Sequence, residues 1–147
     1  MKYVKAYAGN GTDVIYEKPC GGREIWSGGT RAWRNNNPGN IRNGAFTNAR
    51  GAIGVAGGFA VFPDYDTGFA ALCALLRTPN YQKLNLGDAI NRYAPPIEND
   101  TGAYINFIER ETGIPRNTPM MTLSPVALQK LAAAIAKHEG YRKGIIK

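Results

Sequence analysis

The sequence predicts an α+β fold in which a β-rich N-terminal third is followed by several short helices. Residues 2–8 and 12–18 alternate in the manner of strands around Gly9-Asn10-Gly11, a strong hairpin signal. From about Asp64 onward, apolar residues recur at helical spacing between Asp, Asn, Ser, Gly and Pro punctuation. The 147 residues contain no internal repeat and no linker long enough to separate a pair of domains, so residues 1–147 are expected to form one domain.

Along the chain, a third strand is expected over residues 23–27, after which Gly28-Gly29 opens a segment rich in Asn. Residues 43–58 are rich in Gly and Ala and read as flexible loop or short strand, and Phe59-Ala-Val-Phe62 as a short apolar strand. Asp64 or Asp66 should cap a helix reaching about Arg77, with Phe69, Leu72, Cys73 and Leu76 inward and Thr78-Pro79 as its stop. Asp88 should cap a short helix over residues 89–93, ended by Ala94-Pro95-Pro96. Asn99, Asp100 or Thr101 should cap the next, with Tyr104, Ile105 and Ile108 inward and Gly113 as its stop. Ser124-Pro125 opens the last helix, which runs to about His138 with Leu128, Leu131, Ala132 and Ile135 on one face.

A hydrophobic content of 44% with 20% charged residues is ordinary for a globular protein. The net charge of +7 is less so and implies an anionic partner: nucleic acid, an anionic lipid surface, or an acidic polymer such as bacterial wall. The basic residues are scattered, which weakens the nucleic-acid and membrane readings. No apolar run resembles a signal peptide or a membrane span, so the expectation is a protein made in the cytoplasm, without membrane insertion, and delivered by other means. Cys73 falls in an apolar helical pattern and reads as core, whereas Cys20 precedes Gly21-Gly22 in a turn. Neither cysteine has zinc-site spacing, and no metal or cofactor is expected.

The segment Arg31-Ala-Trp-Arg-Asn-Asn-Asn-Pro-Gly-Asn-Ile-Arg42 has the composition of neither a good helix nor a regular strand. A turn built from Asn35, Asn36, Asn37 and Asn40 exposes amide donors and acceptors suited to sugar hydroxyl and acetamido groups. Trp33 beside it, and Tyr93 elsewhere, would serve as sugar platforms, and the arginines would meet carboxylates. The competing reading is a loop held together by its own Asn side chains.

Candidate catalytic groups follow by elimination. A single histidine, His138, speaks against multi-histidine metal sites, and no cysteine starts a convincing helix where its thiol would be activated. Carboxylates remain. Asp64, Asp66, Asp88 and Asp100 stand where helix caps belong, while Glu17 and Glu24 lie on strand segments. Glu139 follows Ile135 by four and Ala132 by seven, at the edge of an apolar helix face and at a helix C-terminus. Partial burial and the helix dipole would both raise its pKa, as protonation of a glycosidic oxygen requires. The alternative is a frayed last turn with Glu139 in water.

Four motifs, Arg34-Asn-Asn-Asn-Pro-Gly-Asn-Ile-Arg42, Gly58-Phe-Ala-Val-Phe-Pro63, Arg92-Tyr-Ala-Pro-Pro-Ile-Glu-Asn-Asp-Thr101 and Ile135-Ala-Lys-His-Glu-Gly140, follow one another over about residues 29–142. In this order the chain resembles a group of small lysozyme-like proteins that includes phage virion proteins and antibacterial toxin domains. A looser likeness runs to bacterial wall glucosaminidases. The resemblance implies a lysozyme-like fold that is circularly permuted, because the helix carrying the catalytic Glu comes after the β-region instead of before it. Glu139 would then be the general acid, with Glu98 as its rival and Glu24, then Glu17, as partner carboxylates.

The implied activity is that of a muramidase cutting peptidoglycan between N-acetylmuramic acid and N-acetylglucosamine, in the periplasm or cell wall. A lytic transglycosylase using the same Glu is the alternative, favoured if no second carboxylate stands roughly 5 to 9 Å away. A non-catalytic wall-binding virion or baseplate protein is a second class of reading. A basic nuclease or nucleic-acid binder is a third that rests on charge alone. The partners implied are peptidoglycan, an immunity protein and a secretion or virion delivery component, with no specific nucleic acid.

Overall fold

The structure, a computed structural model, describes residues 3–147. Lys2, the first residue of the expected strand 2–8, lies outside them. The chain forms an α+β arrangement with one six-stranded mixed sheet, and it divides into two compact units, residues 1–72 with 139–147 and residues 73–138.

In the first unit the expected hairpin is present. Strands β1 (Lys5–Ala8) and β2 (Val14–Glu17) pair antiparallel with Ala6 opposite Tyr16. Gly11 supplies the left-handed backbone of the turn at φ 56°. β3 (Arg23–Ser27) pairs antiparallel with β2, and β4 (Gly54–Ala56) runs parallel to β1 and antiparallel to β5 (Phe59–Val61). A C-terminal strand that the sequence pattern did not suggest, β6 (Ile145–Ile146), closes the order β5-β4-β1-β2-β3-β6.

Alternation places Ala6, Val14, Tyr16 and Trp26 in a buried cluster together with Tyr3, Trp33, Ala56 and Val61. Tyr16 and Trp33 each lie against Trp26, with ring centroids 4.7 and 4.8 Å apart, in the tilted contacts that aromatic quadrupoles favour. The Tyr16 hydroxyl donates to the Arg34 carbonyl, tying the sheet to the segment that follows it.

Two short helices of this unit correct the expected loops. Residues 31–34 form α1 (Arg31–Arg34), because the Thr30 side chain accepts the Trp33 N–H and the buried Trp33 anchors the turn. Within the expected loop 43–58, α2 (Ala45–Ala49) forms around the buried Thr47, whose hydroxyl exchanges hydrogen bonds with the Gly44 backbone. Helix α3 (Tyr65–Leu76) begins in this unit and is capped by Asp64, not Asp66, through a 2.8 Å bond from Thr67 N–H.

The second unit is helical. Thr78-Pro79 does not merely end α3: Pro79 takes the first position of a further short helix, α4 (Pro79–Gln82), where its missing N–H costs nothing. α5 (Leu86–Tyr93) starts three residues earlier than expected. Asn85 is its cap, accepting from Asp88 N–H at 2.8 Å, which makes Asp88 a first-turn residue. α6 (Thr101–Thr112) is capped by Asp100 and stopped by left-handed Gly113, with Tyr104 and Ile108 buried and Ile105 half-buried. A 3-10 turn over Met120–Thr122 precedes α7 (Pro125–Glu139), capped by Ser124. Leu128, Leu131, Ala132 and Ile135 are all buried, as the pattern requires. Cys73 is buried and Cys20 exposed, and both are free thiols. Among the described residues no helix is long and apolar enough to cross a membrane.

Candidate functional site

The Asn-rich loop leaves α1 through two left-handed residues, Asn36 at φ 49° and Asn40 at φ 48°. Asparagine tolerates that conformation better than other residues with a side chain. Asn35, Asn36 and Asn37 are buried, and their amides are spent on the protein itself. Asn35 Nδ2 lies 3.3 to 3.4 Å from the Ala56, Phe59 and Ala60 carbonyls. Asn37 Nδ2 donates to the Ile41 and Ala60 carbonyls at 2.8 and 3.0 Å, while its Oδ1 accepts Ile41 N–H at 3.0 Å. Asn36 hydrogen-bonds the Tyr16 side chain. Three of the four asparagines expected to meet a substrate therefore build the loop instead. Asn35 and Asn37 stitch it to β4 and β5, and Asn36 to β2, where the ladders alone would leave polar groups buried without partners.

Asn40 is different. It is only half-buried, and its Nδ2 donates to Glu139 Oε1 at 3.1 Å, across 99 residues of sequence. Its Oδ1 is buried and finds no hydrogen-bond partner among the described residues. Glu139 is the last residue of α7, half-buried, and Gly140 at φ 88° turns the chain out of the helix. The tail that follows is fixed against the start of the Asn-rich segment. Thr30 N–H donates to the Arg142 carbonyl at 2.9 Å, and Arg142 N–H returns a bond to Thr30 Oγ1 at 3.0 Å. The backbones approach so closely that a Cβ on Gly29 would overlap the Arg142 carbonyl and Gly144. Helix α3 braces the loop from another side: Gly68 lies where any Cβ would strike the Asn36 carbonyl and Pro38.

Exposed groups lie on the segments next to this pair in sequence, or pack on those segments. Tyr65, at the start of α3, and Tyr141, two residues after Glu139, meet edge to face with centroids 5.0 Å apart, and each is 37% exposed. Partial burial is the larger cause holding both phenols above their ordinary range. The Arg31 and Arg42 guanidinium groups lie 3.9 and 4.8 Å from the centroid of the Phe59 ring.

Each of the remaining expected site residues has its own surroundings. Trp33 is 4% exposed and stacked on Trp26, so its faces are core and no sugar platform. Glu24 accepts from the Tyr3 hydroxyl and pairs with Lys18 at 3.3 Å, and Glu17 accepts from Tyr7 Oη at 2.7 Å. In the second unit, Tyr93 ends α5 half-buried, and Glu98 is exposed in the turn that Pro95 closes with a bond from Glu98 N–H. His138 stacks on Tyr104 at 3.7 Å. Among the described residues no cluster of three or more His, Cys, Asp or Glu is arranged to hold a metal ion.

Among known proteins, the chain is similar to Protein P5 of Pseudoalteromonas phage PM2. The two are 39% identical over 93 residues, which amount to 59% of this chain and 58% of the phage protein. This chain thus matches a little over half the length of that relative. No known family profile matches the sequence.

Sequence reasoning missed Tyr65 and Tyr141 as surface aromatics. Tyr65 directly precedes Asp66 in a helix start and Tyr141 follows a helix stop, positions at which aromatic side chains are often left at the surface. It also missed Gly68, whose signal was a glycine inside an otherwise good helix, a costly choice unless something packs against it.

Proposed function

We propose that this protein cleaves the glycan strand of peptidoglycan between N-acetylmuramic acid and N-acetylglucosamine, with Glu139 as the general acid. The observation that carries the reading is the hydrogen bond from Asn40 to Glu139. It brings the one carboxylate singled out by its place on α7 against the one loop asparagine whose amide is not consumed by the loop. A side-chain amide holds a carboxyl group in either protonation state, donating N–H to the ionised form and accepting O–H from the neutral one after rotation. An acid that gives its proton to a glycosidic oxygen and later takes one back passes through both states.

In this mechanism the Glu139 proton moves to the leaving oxygen as the bond to the muramic acid C1 breaks. The developing oxocarbenium ion is then captured, and the proton released by the incoming nucleophile returns to Glu139. Tyr65 and Tyr141 supply the exposed aromatic surface that Trp33 does not. The fold we propose is lysozyme-like and permuted. α7 leads through Gly140 and the tail into β6, in the same sheet as the N-terminal hairpin, so that the order helix, acid, sheet is restored in space. Likeness to a phage protein agrees with delivery in a virion.

A lytic transglycosylase has one observation in its favour. Glu24, the candidate second carboxylate of this unit, is engaged by Tyr3 and Lys18. With Glu139 working alone, the nucleophile would be the C6 hydroxyl of the muramic acid, which closes a 1,6-anhydro ring. Mass spectrometry of peptidoglycan after digestion tests both forms. Reducing-end muramic acid identifies hydrolysis and 1,6-anhydro-muramic acid identifies the transglycosylase. Intact polymer, bound or unbound, overturns the proposal.

A further inference from the structure

The end of α2 and the start of α3 form an open cleft of about 500 Å³, lined by Ala49, Arg50, Asp66, Thr67, Ala70 and Ala71. Clefts that hold small ligands measure about 300–1,000 Å³. All six residues belong to the first compact unit. Three of them are alanines, Ala49 and Ala70 exposed and Ala71 buried, so methyl groups make up much of the wall. Gly51, at φ 93°, runs so close to α3 that a Cβ on it would lie 3.0 Å from Thr67 Cγ2. The chain leaving α2 is thus packed directly against the first turn of α3.

The cleft holds two charges of opposite sign that are not joined to each other. Among the described residues no hydrogen bond or ion pair occupies the Arg50 guanidinium or the Asp66 carboxylate. The Arg50 guanidinium lies 5.5 Å from the centroid of the Phe46 ring, a cation–π distance. Asp66 stands in the first turn of α3, where the helix dipole favours a negative charge, while Asp64 does the capping. Each charge is therefore held by its own helix, and the two do not collapse on one another. They present a fork of N–H donors and a carboxylate to whatever enters the cleft, and Thr67 adds a hydroxyl.

This set of groups discriminates among ligands. A simple anion would meet Asp66, and a metal ion would find one carboxylate beside a guanidinium. A sugar ring would find methyl groups and no aromatic face on the lining. A molecule that carries a carboxylate and an ammonium satisfies both charges at once, through charge-assisted hydrogen bonds. We infer that the cleft binds a zwitterionic peptide segment with short side chains, its carboxylate on Arg50 and its ammonium on Asp66. For the source of that peptide the inference rests on the proposed glycan-cleaving function. The peptide stems of wall glycan carry carboxylates and, on a diamino acid that is not cross-linked, an ammonium. The protein then holds its substrate by the stem as well as by the glycan.

The test is an amide NMR titration of the full chain with a stem tetrapeptide that contains an uncross-linked diamino acid. Two modified forms run beside it, one acetylated at its amines and one amidated at its carboxylates. With the unmodified peptide, shifts should centre on residues 49–51 and 66–71. Each modified form should bind about three- to fivefold more weakly, as the loss of one partly exposed ion pair implies. In Arg50→Gln the amidated form should lose its disadvantage, and in Asp66→Asn the acetylated form should lose its own, which assigns each charge to its partner. Arg50→Lys should keep part of the preference. Equal binding of the three peptides, a preference that survives both substitutions, or shifts confined to other residues overturns the inference. The peptide carries no glycan, so the outcome is separate from cleavage. If the peptide is bound as expected but the protein releases no muropeptides from wall, the catalytic reading fails and the cleft stands. If wall is cleaved and the three peptides bind alike, the reverse holds.

Discussion

Replacing Asn37 tests whether the Asn-rich loop is architecture or recognition surface. The side chain is fully buried and makes three bonds of 2.8 to 3.0 Å, two as donor and one as acceptor. In Asn37→Ala the two carbonyls keep other partners. Ala60 still receives Asn35 Nδ2 at 3.3 Å, and Ile41 still receives Ala60 N–H at 3.1 Å. Ile41 N–H is left with no acceptor of its own. One orphaned buried donor costs about 1–3 kcal/mol, and two lost bonds to carbonyls that retain partners cost about 0.5–1.5 kcal/mol each. The sum is about 2–6 kcal/mol, or roughly 5–20 °C in Tm for a chain of this size. Asn37→Asp should be at least as damaging, since it keeps the acceptor for Ile41 N–H but turns an oxygen toward two carbonyl oxygens. Thermal unfolding by circular dichroism, measured beside wall lysis, separates the two roles. If Asn37→Ala melts with the parent and loses only activity, the side chain contacts substrate and its structural assignment is wrong.

Gly68→Ala would ordinarily gain helix stability, but its Cβ meets the Asn36 carbonyl and Pro38, so a loss of about 1–3 kcal/mol is expected, read as a lower denaturation midpoint. Equal or greater stability would show that the loop can move away. Tyr65→Ala and Tyr141→Ala remove a partly exposed aromatic pair. Each should weaken glycan binding about three- to tenfold with little change in Tm, as stacking energies of this order imply; unchanged affinity in both would remove the platform. The Arg116 guanidinium and backbone N–H hold the Glu109 carboxyl below its ordinary range. Its contribution to stability is therefore complete above the unfolded carboxylate pKa and lost as pH falls through the lower folded value. An NMR titration should show Glu109 protonating below the ordinary carboxylate range, and Arg116→Ala should abolish that lowering.

Much of the fold was legible because local chemistry decided it. The hairpin followed from Gly9-Asn10-Gly11 between alternating segments, and the caps at Asp64, Asp100 and Ser124 from short polar side chains before apolar periodicity. Asn85 was missed because Asp88 offered the same chemistry three residues later, and a first-turn acid looks like a cap from sequence alone. α1 was hidden because its stability comes from Trp33 being drawn into the aromatic cluster of the sheet, a tertiary contact. The same contact removed Trp33 from the site.

The site was half legible for the same reason. Helix position brought Glu139 forward, and the Asn-rich loop stood out by composition. Only the folded chain separates the asparagines that serve the loop from the one that reaches across 99 residues to the carboxyl. An amide is equally able to bind a backbone carbonyl or a sugar, so burial had to decide between them. Glu24 and Glu98 looked like candidates by residue type, and their surroundings show a half-buried carboxylate paired with Lys18 and an exposed turn.

Everything proposed for the site depends on Glu139 supplying the proton for glycan cleavage. The decisive experiment is the release of soluble muropeptides from purified peptidoglycan by Glu139→Gln, an isosteric change that can still accept the Asn40 N–H. The unfolding midpoint should be unchanged and release reduced at least about a thousandfold, since general acid catalysis alone contributes about 10²–10⁴ in rate and the same group acts twice. Release by Glu139→Gln at a rate near that of the unmodified protein would show that the proton comes from elsewhere.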